Sequence, residues 1–156
     1  MITLEDRKMS AENNKKLMQE IFTKLAEGDG SMFVEHLADD VSMTVTGQYS
    51  WSRTFTGKES VLRDLYAYVG ALLADKNRTR AFHFLADGDW VVVEAQGDMI
   101  TKAGDAYQNH YCLLYRLENE MIVEMKEYQD SVLCELVLGK YPSAIEGSAP
   151  RQWPKL

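Results

Sequence analysis

Glu127 and Asp130 are the residues whose type and placement best suit chemistry. They close the run MIVEMKEYQD, residues 121–130, in which apolar and polar residues alternate at the period of a strand, and a helical pattern begins at Asp130. Carboxylates at the end of a central strand are candidates for general acid–base work, above all where an apolar cup desolvates them. A third acid, Glu94, lies in the alternating run from Trp90 to Thr101. If Glu94 and Glu127 share one apolar cup they cannot both ionise cheaply, because desolvation and like charge raise at least one pKa. Each acid also has a structural reading. The two glutamates can be hydrogen-bonded supports of the fold, and Asp130 stands where the N-cap of the last helix belongs.

The elements that must position these acids follow from periodicity. Ser10 is read as the cap of a first helix carrying Leu17, Met18, Ile21, Phe22 and Leu25 on one face, after a frayed stretch over 1–9. The glycines of AEGDG stop it. A short helix from Ser31 to Leu37 and a strand from Val41 to Thr46 come next, then a less regular stretch with Tyr49 and Trp51. Thr56 and Glu59 have the spacing of a capping box, opening a long helix to about Ala74. From Arg78 the period is two: strands at Arg78–Ala86 and Trp90–Thr101 flank the turn Asp87-Gly88-Asp89, and a hairpin runs from Tyr107 to Asp130 about a turn at ENE, residues 118–120. A last helix ends at Gly139, and a tail over 140–156 contains three prolines. Helices gathered on one side of a curved antiparallel sheet make an α+β fold, one domain over 10–139, with a pocket in the cup of a cone.

Register decides which residues share a face. A turn centred within KAGD, residues 102–105, sets Gln96 against Tyr111, and a turn centred on ENE sets Tyr111 against Glu127. One face then carries Glu94, Gln96, Asn109, Tyr111 and Glu127 and lines the pocket. The other carries Val91, Val93, Ala95, Cys112, Leu114, Glu124, Lys126 and Tyr128 and is expected to be at least partly covered by a second copy of the chain, with a monomer bearing a few exposed apolar residues as the competing reading. A one-residue slip would exchange the faces. Tyr49, Trp51 and Tyr66 are expected as further pocket walls, with aromatic core filling as the competing reading.

Composition narrows the classes. A hydrophobic fraction of 46% with 26% charged residues describes a globular chain able to build one core. A formal net charge of −7 argues against a nucleic-acid partner, which calls for a basic surface. The first residues lack an apolar signal region, and no run is long enough to span a bilayer, so a cytoplasmic protein without a membrane partner is expected. Cys112 and Cys134 stand in no redox or metal spacing and read as reduced packing residues. His83 and His110 have no second ligand at metal spacing, so no metal is expected; His83 is a candidate proton shuttle, with packing or an outward position as the competing reading. The sequence has no glycine-rich phosphate loop and no Ser/His/Asp or Cys/His signature, so no cofactor is expected.

The order of elements, with LADDV after two helices, W…FTGKESV opening the long helix, LADGDWVVVEAQG across a hairpin, and YQNHYCLLYRLENEMIVEMKEYQD at the end, resembles the SnoaL-like family over roughly residues 11–139. That family is the polyketide cyclase branch of the nuclear transport factor 2-like cone fold, close to ketosteroid isomerases and limonene epoxide hydrolases. The resemblance implies a cone that holds small apolar, polyketide-like or steroid-like ligands and pairs through the outer face of its sheet. Its motifs transfer unevenly. Where ketosteroid isomerases place a catalytic Asp this chain has Thr44-Val45-Thr46, and where they place an oxyanion-binding Tyr it has Phe22. Where the epoxide hydrolases have Arg-x-Asp it reads Glu94-x-Gln96. The acid that polyketide cyclases carry near the end of the last strand matches Glu127 or Asp130. The expected protein is a homodimeric binder of a small hydrophobic molecule. Its pocket is lined by Tyr49, Trp51, Tyr66, His83, Gln96, Asn109 and Tyr111. As an enzyme it would be a cofactor-free isomerase, cyclase or hydrolase using Glu127, Asp130 or Glu94, with Asn109 or Tyr111 polarising a substrate oxygen. The alternative is a non-catalytic ligand-binding or assembly module with the same cone.

Overall fold

A computed structural model describes residues 3–142 and 148–150. The tail at 143–147 and 151–156 lies outside the described residues. Helix α1 (Leu4–Ala26) is capped by Thr3, whose hydroxyl accepts from the Asp6 N–H while Asp6 accepts from the Thr3 N–H, both at 3.0 Å. The helix therefore starts before Ser10, at a capping box whose N3 acid is Asp rather than the usual Glu or Gln. Met18, Ile21 and Phe22 are buried, and α1 packs across the strands β3 (Thr79–Asp87) and β4 (Trp90–Gly97).

After α2 (Ser31–Glu35) the chain enters β1 (Leu37–Val45) and β2 (Arg53–Thr56). The expected Thr56–Glu59 capping box does not form. Thr56 is the last residue of β2, paired with Ser42, and Gly57 turns the chain at φ +89° into α3 (Lys58–Ser60); Glu59 instead pairs with Arg63 at 3.0 Å. Helical structure continues as a π-helix over Val61–Ala67 and then α4 (Tyr68–Leu72). Then come β3, β4, the short strands β5 (Met99–Ile100) and β6 (Ala106–Tyr107), β7 (His110–Glu118), β8 (Met121–Gln129), helix α5 (Ser131–Leu138) and β9 (Ser148–Pro150).

The large sheet has the order β3-β4-β7-β8-β1-β2-β9. It is antiparallel except where β1 lies parallel to β8 in its middle. The run expected as one strand from Trp90 to Thr101 breaks after Gly97; β5 leaves the large sheet and pairs with β6 instead. The curved sheet wraps the helices, and the core fills the cup. Trp51, Phe55, Tyr68 and Tyr141 close its narrow end with ring centroids 4.9–5.9 Å apart. Trp51 Nε1 donates to the Gly139 carbonyl at 2.8 Å and the Tyr141 hydroxyl to that of Asp64 at 2.8 Å, so the segment after α5 is part of the core rather than a free arm. Among the described residues no helix is long and apolar enough to cross a membrane.

Two hairpin turns set the faces. Thr101 and Asp105 close a connection of three residues with Gly104 at φ +93°, a geometry that glycine adopts without strain. The turn is thus centred on Ala103, one half-step from the expected centre, and β4 meets β7 with Ala95 opposite Tyr111 and Gln96 opposite His110. This is a one-residue slip, so every β4 side chain changes face. Val91, Val93 and Ala95 form the buried inner row, and Glu94 and Gln96 point outward. The second turn is Asn119-Glu120, both residues at positive φ (49° and 62°), as in a type I′ hairpin. It displaces the register by one residue, and a bulge between Arg116 and Leu117 displaces it by another. The two shifts cancel in parity. Tyr111 faces Gln129 and Leu113 faces Glu127, but Tyr111 and Glu127 remain on the inner face, as expected.

Candidate functional site

Glu127 sits near the end of β8, fixed by its backbone. Its carbonyl accepts from the Thr46 N–H at 2.9 Å and from the Thr46 hydroxyl at 2.8 Å. Its side chain points into a cavity of about 300 Å³ between the sheet and the helices, lined also by Phe22, Phe33, Tyr66, Tyr111, Leu113 and Tyr115. A smaller chamber of about 50 Å³ continues inward, walled by Trp51, Tyr107, Gln129 and Cys134. Tyr66, Asn77, Tyr111 and Glu127 border both, so the carboxyl stands where the two chambers meet. Among the described residues nothing hydrogen-bonds or ion-pairs with the Glu127 carboxyl. Burial alone pushes its pKa up, to about 7. No neighbouring carboxylate contributes, because Glu94 is on the other side of the sheet.

The phenols around it are all raised. Burial is the main cause for Tyr66, Tyr111 and Tyr115, and the charge of Glu127 adds to each. They therefore remain protonated hydrogen-bond donors at neutral pH. Burial also raises the Cys134 thiol, to about 11, which keeps it un-ionised and poorly nucleophilic.

The remaining expected residues divide sharply. Tyr66, Tyr111 and Trp51 line the chambers. Tyr49 stands behind the inner one, its hydroxyl accepting from Gln129 Nε2 at 2.8 Å. Asn109 is fully buried and committed to the fold. Its Nδ2 donates to the Asp130 carbonyl at 2.9 Å and to Gln129 Oε1 and the Tyr107 hydroxyl, both at 3.1 Å, and its Oδ1 accepts from the Asp130 N–H at 3.0 Å. With both ends of its amide occupied, it borders neither chamber, contrary to the expected ligand contact. Asp130 is exposed and caps α5, its Oδ1 accepting from the N–H groups of Val132 and Leu133 at 2.9 and 3.0 Å.

Glu94 and His83 pair with each other at 2.7 Å on the exposed outer face, and Gln96 lies on that same face. None of the three borders the cavity: the β4 slip turns Glu94 and Gln96 outward, and His83, on β3, lies opposite Glu94. A bulge in β3 between Ala81 and His83 also leaves Phe82 and His83 both outside. Among the described residues no group of three His, Cys, Asp or Glu could hold a metal ion.

Several lining residues lay outside the expected set. Tyr115 and Gln129 share parity with Tyr111 and Glu127 on their own strands, so strict alternation along β7 and β8 would have found them. Cys134 lies on the buried stripe of α5. Asn77 is in an irregular link, where no period marks it.

The profile of the SnoaL-like domain matches residues 18–125, more than two thirds of the chain. No curated protein matches it. Among solved structures, the chain superposes on Bal32a from a soil-derived mobile gene cassette with a TM-score of 0.68 at 16% identity, covering 84% of this chain and 98% of that one. A chain from Jannaschia sp. CCS1 assigned as a SnoaL-like polyketide cyclase gives 0.67 at 13% identity, with coverages of 85% and 95%. TerC, co-crystallised with polyporic acid, gives 0.67 at 17% identity, with coverages of 80% and 97%. At these identities the likeness extends to the fold, and with the domain match it settles membership: the chain belongs to the SnoaL-like family, within the nuclear transport factor 2-like fold.

Proposed function

We propose that the cone binds a small, largely apolar molecule bearing a carbonyl or hydroxyl group, and that Glu127 serves as the single general acid–base of a cofactor-free isomerisation or cyclisation. The observation that carries this reading is the unpartnered Glu127 carboxyl at the junction of the two chambers, with a pKa of about 7. A group half ionised near neutral pH can take a proton and give it back. In the simplest step the ionised carboxylate removes a proton next to the substrate carbonyl, and the electrons of that C–H bond move onto the carbonyl oxygen. The hydroxyl of Tyr111, held protonated by burial, donates a hydrogen bond to the resulting enolate. The proton now on Glu127 returns to a different carbon or to an oxygen. The naming of the Jannaschia chain as a polyketide cyclase, and TerC's co-crystallisation with polyporic acid, agree with such a ligand class.

A model ketone tests the step without the natural substrate. Deuterium exchange next to the carbonyl of 2-tetralone, followed by NMR in deuterated buffer, should be accelerated by the protein, with an inflection near the Glu127 pKa of about 7. Glu127→Gln should reduce that acceleration by about 100-fold or more, the usual contribution of a positioned acid–base group. Equal exchange by both forms would remove Glu127 from the chemistry. Tight binding of the ketone with no exchange in either form would favour the non-catalytic module.

We infer further that the outer sheet face pairs with a second copy. It exposes Leu85 (68%) and Tyr128 (46%) along a broad concavity that also contains the His83–Glu94 pair, and Phe82 (53%) is exposed beside His83 on β3. Light scattering should give a dimer at micromolar concentration, and Leu85→Glu should shift it to monomer. A monomeric wild-type protein would overturn this assignment.

A further inference from the structure

The larger chamber opens between two links of the chain. Gly28 and Gly30, between α1 and α2, stand on one side, and the exposed Lys76 and Asn77, between α4 and β3, on the other. Lys76 and Glu127 are the two charged residues of its lining; the remaining wall is aliphatic, aromatic or neutral polar. Packing fixes the stem of the lysine. A Cβ added to Gly28 would meet Lys76 Cβ at 2.7 Å and Cδ at 2.8 Å, so the stem crosses the glycine where a side chain would otherwise be, and Gly28 itself holds φ +77°. The acids nearby are engaged elsewhere. Asp29 accepts from the N–H and hydroxyl of Ser31 at 3.0 and 2.6 Å, and Asp75 pairs with Arg78 at 2.9 Å. Both feel the Lys76 charge through space, but among the described residues Lys76 makes no ion pair.

We propose that Lys76 recognises an anionic group at the mouth, so that the ligand is bifunctional. It would carry a carboxylate or phenolate at Lys76, an apolar ring body between Phe22, Phe33 and Tyr115, and a carbonyl or hydroxyl oxygen at Glu127. This rests on the acid–base reading of the cavity. A chain of net charge −7 repels anions at a distance, so a lysine in the lining at the opening is what makes an anionic ligand acceptable. Below its pKa of about 7 Glu127 is neutral and adds no repulsion within the cavity. Anchoring one end of the ligand also holds its other end at the carboxyl, which converts binding into orientation.

The test compares two probes of one shape, 6-acetyl-2-naphthoate and its neutral counterpart 6-acetyl-2-naphthamide, by calorimetry on the full chain at about pH 6, where Glu127 is mostly protonated. The naphthoate should bind about threefold to fivefold more tightly, the range an ion pair at an exposed mouth supplies. Lys76→Met should erase that preference, bringing the naphthoate and naphthamide affinities together, and an unchanged urea-unfolding midpoint reports an intact fold. Lys76→Arg should keep the preference. A preference that survives in Lys76→Met overturns the anion site and leaves the cavity reading standing. Failure of both probes to bind wild-type protein overturns the cavity reading and the anion site with it.

Discussion

Glu127→Gln is expected to stabilise the protein above neutral pH, by about 3 kcal/mol at pH values well above 7. The unfolded carboxyl titrates at the ordinary value of 4.5 and the folded one at about 7. Between those values the folded state binds more protons than the unfolded, so stability falls as pH rises. Below 4.5 both states are protonated and the whole contribution is present; above 7 both are ionised and it is lost. The glutamine variant is neutral throughout and escapes the loss. Urea unfolding of the two forms across this range isolates the effect, because every other titrating group is common to both. The difference should be near zero at the acid end and reach its plateau just above 7. A difference that does not change with pH would mean that the folded carboxyl is solvated, and the acid–base reading would fail with it. On the proposed acid–base reading this cost is the usual opposition between stability and activity at a site whose pKa is tuned by burial.

How far this site was legible in the sequence depends on turn chemistry more than on strand pattern. The alternation along β7 and β8 placed Tyr111 and Glu127 on one face, and it survived two register errors because they cancelled. The turn at Asn119-Glu120 moved the pairing by one residue and the bulge at Arg116/Leu117 moved it by another. Only one error acted on β4. A three-residue connection through Gly104, read as an even-numbered turn, sent Glu94 and Gln96 outward and Val91, Val93 and Ala95 inward. A strand reading VVVEAQG has apolar residues at both parities near its start, so nothing in its own composition corrected the slip. The fold was easier, because helix periodicity, hairpin spacing and the run of antiparallel strands each point to an α+β cup. What no local pattern contains is the pairing of β1 with β8 across most of the chain, or the Asn77 and Lys76 link at the mouth.

Replacing Asn109 with Leu should cost about 3 kcal/mol, the second large effect expected here. The amide is a fully buried hub. It ties the N–H and carbonyl of Asp130 to the Tyr107 hydroxyl and Gln129 Oε1, at the point where β8 ends and α5 begins. Leucine matches asparagine in branching and heavy-atom count but is bulkier, so no cavity is created and some overpacking adds to the cost. Most of the cost comes from buried polar groups left without partners, at about 1–3 kcal/mol for such a group. Asn109→Asp should fare no better, because an ionised carboxylate keeps the acceptor for the Asp130 N–H but cannot donate to the Asp130 carbonyl, the Tyr107 hydroxyl or Gln129. The midpoint of urea unfolding should fall with an unchanged slope, as for a loss of stability in a two-state domain. Affinity for the naphthalene probes should change little in the protein that remains folded. If Asn109 were instead a ligand contact, the pattern would invert, with weakened binding and near-normal stability. The comparison therefore separates a residue that builds the floor of the site from one that meets the ligand. Glu127, two residues before Gln129 on the same strand, differs in that its carboxyl has no hydrogen-bond partner among the described residues, which is why the proposed chemistry is placed there and not on Asn109.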